Sequence, residues 1–192
     1  MQITIPLFPL NTVLFPGGVL PLRIFEPRYL DMVSQCLRTD CGIGVVLIRQ
    51  GQEVGKAADT YEVGTLCRIR YWNHRSDGML GITLEGQQRF SILSRQVSQN
   101  QAVEARVELL PEIVGDTLPQ SYQYLAQILQ SILGQLDPPY SSMPLNLDDA
   151  DWVASRLIEL LPMDMALKQR LLSENNAQKK LLEVAAVLKK TH

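Results

Sequence analysis

The first chemistry to weigh in this sequence is phosphate binding. Gly51-Gln52-Glu53-Val54-Gly55-Lys56-Ala57 has the look of a phosphate-cradling loop. That motif needs four residues between its glycines, and Ser or Thr after the lysine to hold magnesium. Here three residues separate the glycines and Ala57 follows Lys56, so the segment reads as a surface loop. Hydrolytic chemistry also lacks its parts. There is no G-x-S-x-G, and the histidines are His74 and the terminal His192. Asp148, Asp149 and Asp151 precede a helical pattern, where capping explains carboxylates better than a metal does. No nucleophile with an activating base can be named. The expectation is therefore no catalytic residue, no metal ligand and no cofactor.

Binding chemistry is better represented. Arg68, Arg70, Tyr71, Trp72, His74 and Arg75 interleave cations with aromatic rings, a pattern able to neutralise phosphates and stack bases. An antiparallel strand with one solvated arginine face gives the same pattern and takes precedence, so nucleic acid is kept as the alternative. A second surface lies in the opening stretch from Ile5 to Tyr29, which holds Pro6, Pro9, Pro16, Pro21 and Pro27 among aliphatic and phenylalanine residues. Proline lacks a backbone donor and is confined to strand edges, starts and bulges. Such edges leave backbone groups beside apolar side chains, where an extended peptide can add. Each single phenylalanine, Phe8, Phe15 or Phe25, is better explained as core.

Composition narrows the classes. A chain of 192 residues with 46% hydrophobic and 20% charged residues is ordinary globular material, long enough to bury a core. A net charge of −2 gives no whole-chain attraction to nucleic acid or anionic membranes. No leader pattern opens the chain and no apolar run reaches membrane-spanning length, so a cytoplasmic protein is expected. Cys36, Cys41 and Cys67 lack zinc spacing and read as reduced, half-buried thiols. Residues 1–110 carry eleven Lys+Arg against ten Asp+Glu, and residues 111–192 seven against ten. Ten of the first eleven cations are arginine and five of the last seven are lysine, which places a boundary near Pro111.

The elements that must position these residues follow from periodicity. The opening segment enters a sheet, kinks at Gly17-Gly18 and re-enters as a second strand. Pro27 to Arg38 reads as a helix with Leu30, Val33 and Leu37 inward. Ile43 to Ile48 is a continuous apolar strand, and 51–60 a loop. From Tyr61 to Leu109 the alternation predicts antiparallel sheet, turning at Ser76-Asp77-Gly78 and again at Glu85-Gly86-Gln87. Six strands and one helix make a partly closed barrel. Beyond Pro111 the period becomes helical: Leu118–Leu133, a helix capped by Asp148 or Asp149, another over Met163–Leu172, and Ala177–Lys190. The last is expected to turn Leu181, Leu182, Ala185 and Leu188 inward and Lys179, Lys180, Glu183 and Lys189 outward.

Several of these motifs, in this order, resemble one family. Pro6-Leu7-Phe8-Pro9-Leu10, Val13-Leu14-Phe15-Pro16-Gly17 and Leu22-Arg23-Ile24-Phe25-Glu26-Pro27-Arg28-Tyr29 are similar to the N-terminal substrate-binding domain of Lon proteases, a domain also found in cereblon. The likeness continues at Gly64-Thr65, at Gly86-Gln87-Gln88-Arg89-Phe90, and at Leu161-Pro162-Met163 with Lys168-Gln169-Arg170-Leu171-Leu172. Ser173 stands where that last motif has glutamate. The resemblance implies an α+β fold: a PUA-like antiparallel β pseudobarrel with one helix over residues 1–110, then a helical bundle over 111–192. It also implies recognition of unfolded or apolar polypeptides, as an adaptor or alongside a protease. With no P-loop and no peptidase serine motif, the expectation is a non-enzymatic protein lacking the ATPase and Ser-Lys peptidase domains of full Lon proteases. The candidate binding surface is Phe15, Pro16 and Gly17 at the kink, Arg28 and Tyr29 at the helix start, and Trp72. Arg28 is expected first as a structural ion pair with a barrel carboxylate.

Overall fold

Two prolines three residues apart, Pro6 and Pro9, sit in the first strand, β1 (Gln2–Leu10). Successive N–H groups of a strand point to opposite edges, so an odd spacing removes one donor from each edge. The computed structural model, which describes residues 1–190, shows how this is accommodated. From Gln2 to Leu7, β1 pairs antiparallel with β7 (Val103–Leu109); from Leu7 to Leu10 it pairs parallel with β3 (Ile43–Gln50). The partner changes edges at Leu7, which lets each proline point its nitrogen away from its partner. β7 continues to β6 (Leu80–Val97), β6 to β5 (Val63–His74), and β5 back to β3. The ring closes through the single parallel step. β2 (Val19–Ile24) adds to the first half of β6, and β4 (Asp59–Thr60) to the end of β3.

Two apolar clusters fill this unit, which spans Met1–Pro111. One gathers Ile5, Leu7, Val46, Phe90, Ile92 and Val107, with Leu66 against them, so all five ring strands meet inside the barrel. The other lies on the opposite strand faces, with Phe8, Ile43, Val45 and Leu84 packed against helix α1 (Pro27–Thr39). Covered on both faces, β3 explains its unbroken apolar run. Helix α1 buries Arg28, Tyr29, Met32, Val33 and Cys36, a regular stripe rotated from the expected one. Leu37 is exposed, because the stripe follows the i, i+4, i+8 line from Arg28 instead. The helix ends where Asp40 adopts a left-handed conformation, φ 53°.

Other expectations also need correction. There are seven strands in this unit, not six, since the two-residue β4 carries no readable alternation. Glu85-Gly86-Gln87 is no turn: β6 runs through it for 18 residues, with a register shift against β5 at Leu66/Cys67. The irregularity receives the kink of the opening segment. Gly17, at φ 76°, donates to the Gly86 carbonyl at 2.8 Å, and Gly86 donates to the Gly18 carbonyl at 2.9 Å. A side chain on Gly86 would run into the Phe15 carbonyl. The expectation of three reduced thiols also fails. Cys36 and Cys41 form a disulfide with Cα atoms 4.6 Å apart, because the left-handed end of α1 folds Cys41 back over the last turn. Cys67 is a buried thiol outside it.

The second unit begins at Glu112. Its helices are α2 (Gln123–Gln135), led in by a 3-10 turn at Gln120–Tyr122, then α3 (Ala150–Leu160), α4 (Met165–Leu172) and α5 (Ala177–Lys190). Asp149 caps α3, accepting from the Trp152 N–H at 2.7 Å, and Asp164 caps α4 at 3.1 Å. In α5 the inward stripe is Ala177, Leu181, Val184 and Ala185, while Leu182 is exposed. Lys180, expected outward, is fully buried and meets Asp151 of α3 at 2.7 Å; the ion pair carries its charge inside.

Gly86→Ala is expected to destabilise the chain by about 1–3 kcal/mol, since backbone at Phe15 cannot yield. Gly134, late in α2 with open space around it, is the opposite case. Gly134→Ala should stabilise by about 0.5–1 kcal/mol. Urea unfolding midpoints of the two variants should move in opposite directions from wild type.

Candidate functional site

The kink residues do not offer a surface. Phe15 is wholly buried, Pro16 half-buried, and Gly17 is exposed but tied by its backbone to Gly86. Thr65 Oγ1 donates to the Leu14 carbonyl at 2.5 Å and fixes the same bend from β5. These residues shape the barrel.

Arg28 and Tyr29 come together at a different place. Pro27 opens α1 and its next two residues turn inward, so a guanidinium enters the protein with only 5% of its side chain exposed. Its charge is met by Glu26 Oε2, 3.1 Å from Nε, as an ion pair with a carboxylate of the α1 approach. Nη1 donates to the Gln101 carbonyl at 2.9 Å and Nη2 to the Glu53 carbonyl at 3.1 Å. The guanidinium carbon lies 4.5 Å from the Tyr29 ring centre, and that ring packs on Phe8 with centres 4.4 Å apart. Glu53 in turn accepts from the Asn11 N–H at 2.6 Å, and Gln101 Oε1 accepts from the Ala57 N–H at 3.1 Å. One cation thus fastens the helix start, the 51–58 loop and the 98–102 turn. The phosphate-loop look-alike is part of this lattice of backbone tethers.

Beside this hub is a cavity of about 460 Å³. Leu7, Tyr29, Met32 and Val103 form its apolar lining, and Asp31, Gln35, Glu104 and the Ser98–Asn100 turn its polar rim. The cavity was not legible in the sequence, and its 98–102 turn was not read there; the polar run from Ser98 to Gln101 is the signal that could have found it. Burial pushes the Tyr29 hydroxyl's pKa up, partly opposed by the Arg28 charge and aided by Glu26 and Glu53. The phenol stays neutral well into the alkaline range.

Trp72 lies elsewhere and does not line that cavity. β3 pairs with β5 only as far as Cys67, while β5 continues to His74 against β6 alone. Among the described residues, Arg68–His74 therefore has no strand on its other side. Tyr71 and Trp72 stand on this segment 61% and 49% exposed, and His74 meets the Trp72 ring edge-on at 5.9 Å. Tyr71 is paired across from Thr83 and Trp72 from Ile82, so the two rings take opposite faces. Each arginine is already paired with a carboxylate. Arg68 and Arg70 share Glu85 at 2.7 and 3.5 Å, and Arg75 holds Asp77 at 3.1 Å. That arrangement gives the nucleic-acid alternative no support. Among the described residues no cluster of three His, Cys, Asp or Glu side chains is placed to hold a metal, and no helix is long and apolar enough to cross a membrane. Asp149 is a cap and Asp151 an ion-pair partner, which leaves the acidic cluster with structural duties.

Comparison with known proteins adds the family. The family model described as the ATP-dependent protease La (LON) substrate-binding domain matches residues 4–190. A Lon N-terminal domain protein from Xanthomonas campestris is 34% identical, with a TM-score of 0.78 over 96% of this chain and 98% of that one. The N-terminal domain of the Mycobacterium avium complex Lon protease shares the fold at TM-score 0.60 and 14% identity. Among curated relatives, Lon protease of Anaeromyxobacter dehalogenans is 33% identical over 110 residues, 56% of this chain. Lon protease 2 of Myxococcus xanthus is 27% identical over 191 residues, 82% of this chain. The chain spans 13% and 23% of those two proteins.

Replacing Arg28 by methionine keeps the apolar stem but leaves Glu26 and two carbonyls without their cation. The expected loss is about 3–5 kcal/mol by urea unfolding, with amide exchange accelerated in 51–58 and 98–102. Arg28→Lys should not restore it, because a point charge cannot serve three separated acceptors. Tyr29 gives a pH test. A folded pKa raised above 10.0 contributes stability that is complete below the unfolded value and is lost as pH rises through the folded one. Stability measured at pH 8 and pH 11 should therefore fall more in wild type than in Tyr29→Phe.

Proposed function

Because the chain belongs to the LON substrate-binding domain family, we propose that it is a non-enzymatic polypeptide-recognition module acting on unfolded or apolar protein segments in the cytoplasm. In this reading it serves as an adaptor, presenting such segments to another protein. The observation that carries the reading is the open edge of β5 from Arg68 to His74, with Tyr71 and Trp72 exposed on it. A natural edge strand is ordinarily blunted, because free backbone donors and acceptors beside apolar side chains invite another chain. Here the edge has a register irregularity between Ile69 and Tyr71, yet it carries two large exposed rings. An extended polypeptide adding along it would form main-chain hydrogen bonds, which read no sequence. Tyr71 and Trp72, on opposite faces, would reward aromatic or aliphatic side chains on either side of the added strand. Arg68 and Arg70, held by Glu85, keep the edge soluble while it is empty.

Binding is measurable with a permanently unfolded polypeptide, reduced and alkylated lactalbumin, by anisotropy of an attached fluorophore. Wild type is expected to bind it, and Trp72→Ala to weaken binding about 5–30-fold, the effect of losing one interface anchor worth about 1–2 kcal/mol. Absence of binding, or equal binding by Trp72→Ala, would sink the proposal.

A further inference from the structure

We propose that the cavity beside Arg28 and Tyr29 is a subsite for cationic, apolar stretches of polypeptide, lysine or arginine next to an aliphatic residue. This rests on the polypeptide-recognition reading and names a substrate class for a second place on the barrel unit. The argument begins with charge. Arg28 lines the cavity, but its charge is met by Glu26, each terminal nitrogen donates to a carbonyl, and only 5% of its side chain is exposed, so little of it is left for an incoming anion. The other ionisable groups of the lining are Asp31 on α1, Glu104 at the start of β7, and the phenol of Tyr29. Both carboxylates are exposed, and neither takes part in an ion pair or side-chain hydrogen bond among the described residues. Arg106, two positions beyond Glu104, is not part of the lining. The cavity therefore presents two uncompensated negative charges over an apolar floor.

The floor decides the rest of the occupant. Leu7 and Met32 are almost wholly buried, yet they lie at the cavity wall together with Val103 and the Tyr29 ring. At about 460 Å³ the cavity admits one or two side chains, within the range of small ligand sites. Methionine adapts to aliphatic side chains of different shape. A carboxylate rim over low-dielectric walls focuses its field on a cation more strongly than a flat surface does. The stem of lysine or arginine can lie on the apolar floor while its charge reaches Asp31 or Glu104. An acidic segment would meet like charge from both carboxylates and find little of Arg28 in exchange.

Two capped, fluorophore-labelled peptides test this: Gly-Lys-Leu-Lys-Gly and its counterpart Gly-Glu-Leu-Glu-Gly. At low ionic strength the lysine peptide should bind wild type about threefold to tenfold more tightly, the size expected from partly exposed charge pairs. Raising salt should erode the preference. The double variant Asp31→Asn, Glu104→Gln changes only exposed groups and should bring the two peptides to near parity. Amide shifts induced by the lysine peptide should centre on Asp31, Met32 and Glu104. Equal affinity for the two peptides in wild type, or a preference that survives the double variant, would overturn the proposal. If alkylated lactalbumin binds but no charge preference exists, this inference alone fails; if no polypeptide binds at all, the functional reading fails with it.

Discussion

The structure depends on one strand changing partners. β1 is bonded to β7 up to Leu7 and to β3 from Leu7 onward, and the second of these pairings closes the ring. Without the parallel step the sheet would have β1 and β3 as open edges. A strand bonded on both sides throughout could not hold Pro6 and Pro9, since every N–H would be needed. A strand bonded on one side at a time can, provided the prolines fall on opposite edges either side of the switch. Their spacing of three meets that condition. The proline pattern is thus a device for ending one pairing and starting another without leaving a buried donor unmet.

What closure does for the backbone, Arg28 does for the loops. The strands of the ring are joined by segments with little apolar content, above all 51–58 and 98–102. Neither buries enough surface to order itself. A buried guanidinium with a carboxylate for its charge and two carbonyls for its forks fastens both to the start of α1. Arginine suits this role because its donors are fixed in a plane and remain charged when buried. The cavity next to it exists because the turn is held at this distance from α1.

How much of this the sequence discloses varies with the kind of interaction. Local signals survived well. The unbroken run Ile43–Ile48 is a strand covered on both faces, and Asp149 is a cap as its position before an apolar pattern implied. Features set by distant partners did not. Lys180 looks like a solvated lysine until Asp151, 29 residues away, is seen beside it. Glu85-Gly86-Gln87 has turn composition, yet glycine is there to let the Phe15 carbonyl approach, and the strand continues through it. Leu37 and Leu182 fit a helical stripe but lost the inward place to Arg28's stripe and to Val184. The Cys36–Cys41 bond depends on a left-handed residue at Asp40, which no periodicity reveals.

The candidate site shows the same division from the side of function. The motifs that identify the family are those with the most structural work: Phe15 to Gly17 form the bend against Gly86, and Arg28 fastens two loops. Family signatures concentrate there because few residues can meet a tight bend or a three-way tether. Tyr71 and Trp72 have no comparable duty. They stand 61% and 49% exposed on a stretch of strand with one partner, where burial contributes little to the fold. Large aromatic rings so placed cost solubility and return little stability, which is the pattern expected of side chains whose burial happens in a complex. A binding surface in this fold is therefore to be sought at the open edge of β5 and in the cavity beside α1, and not at the Phe15–Gly17 bend.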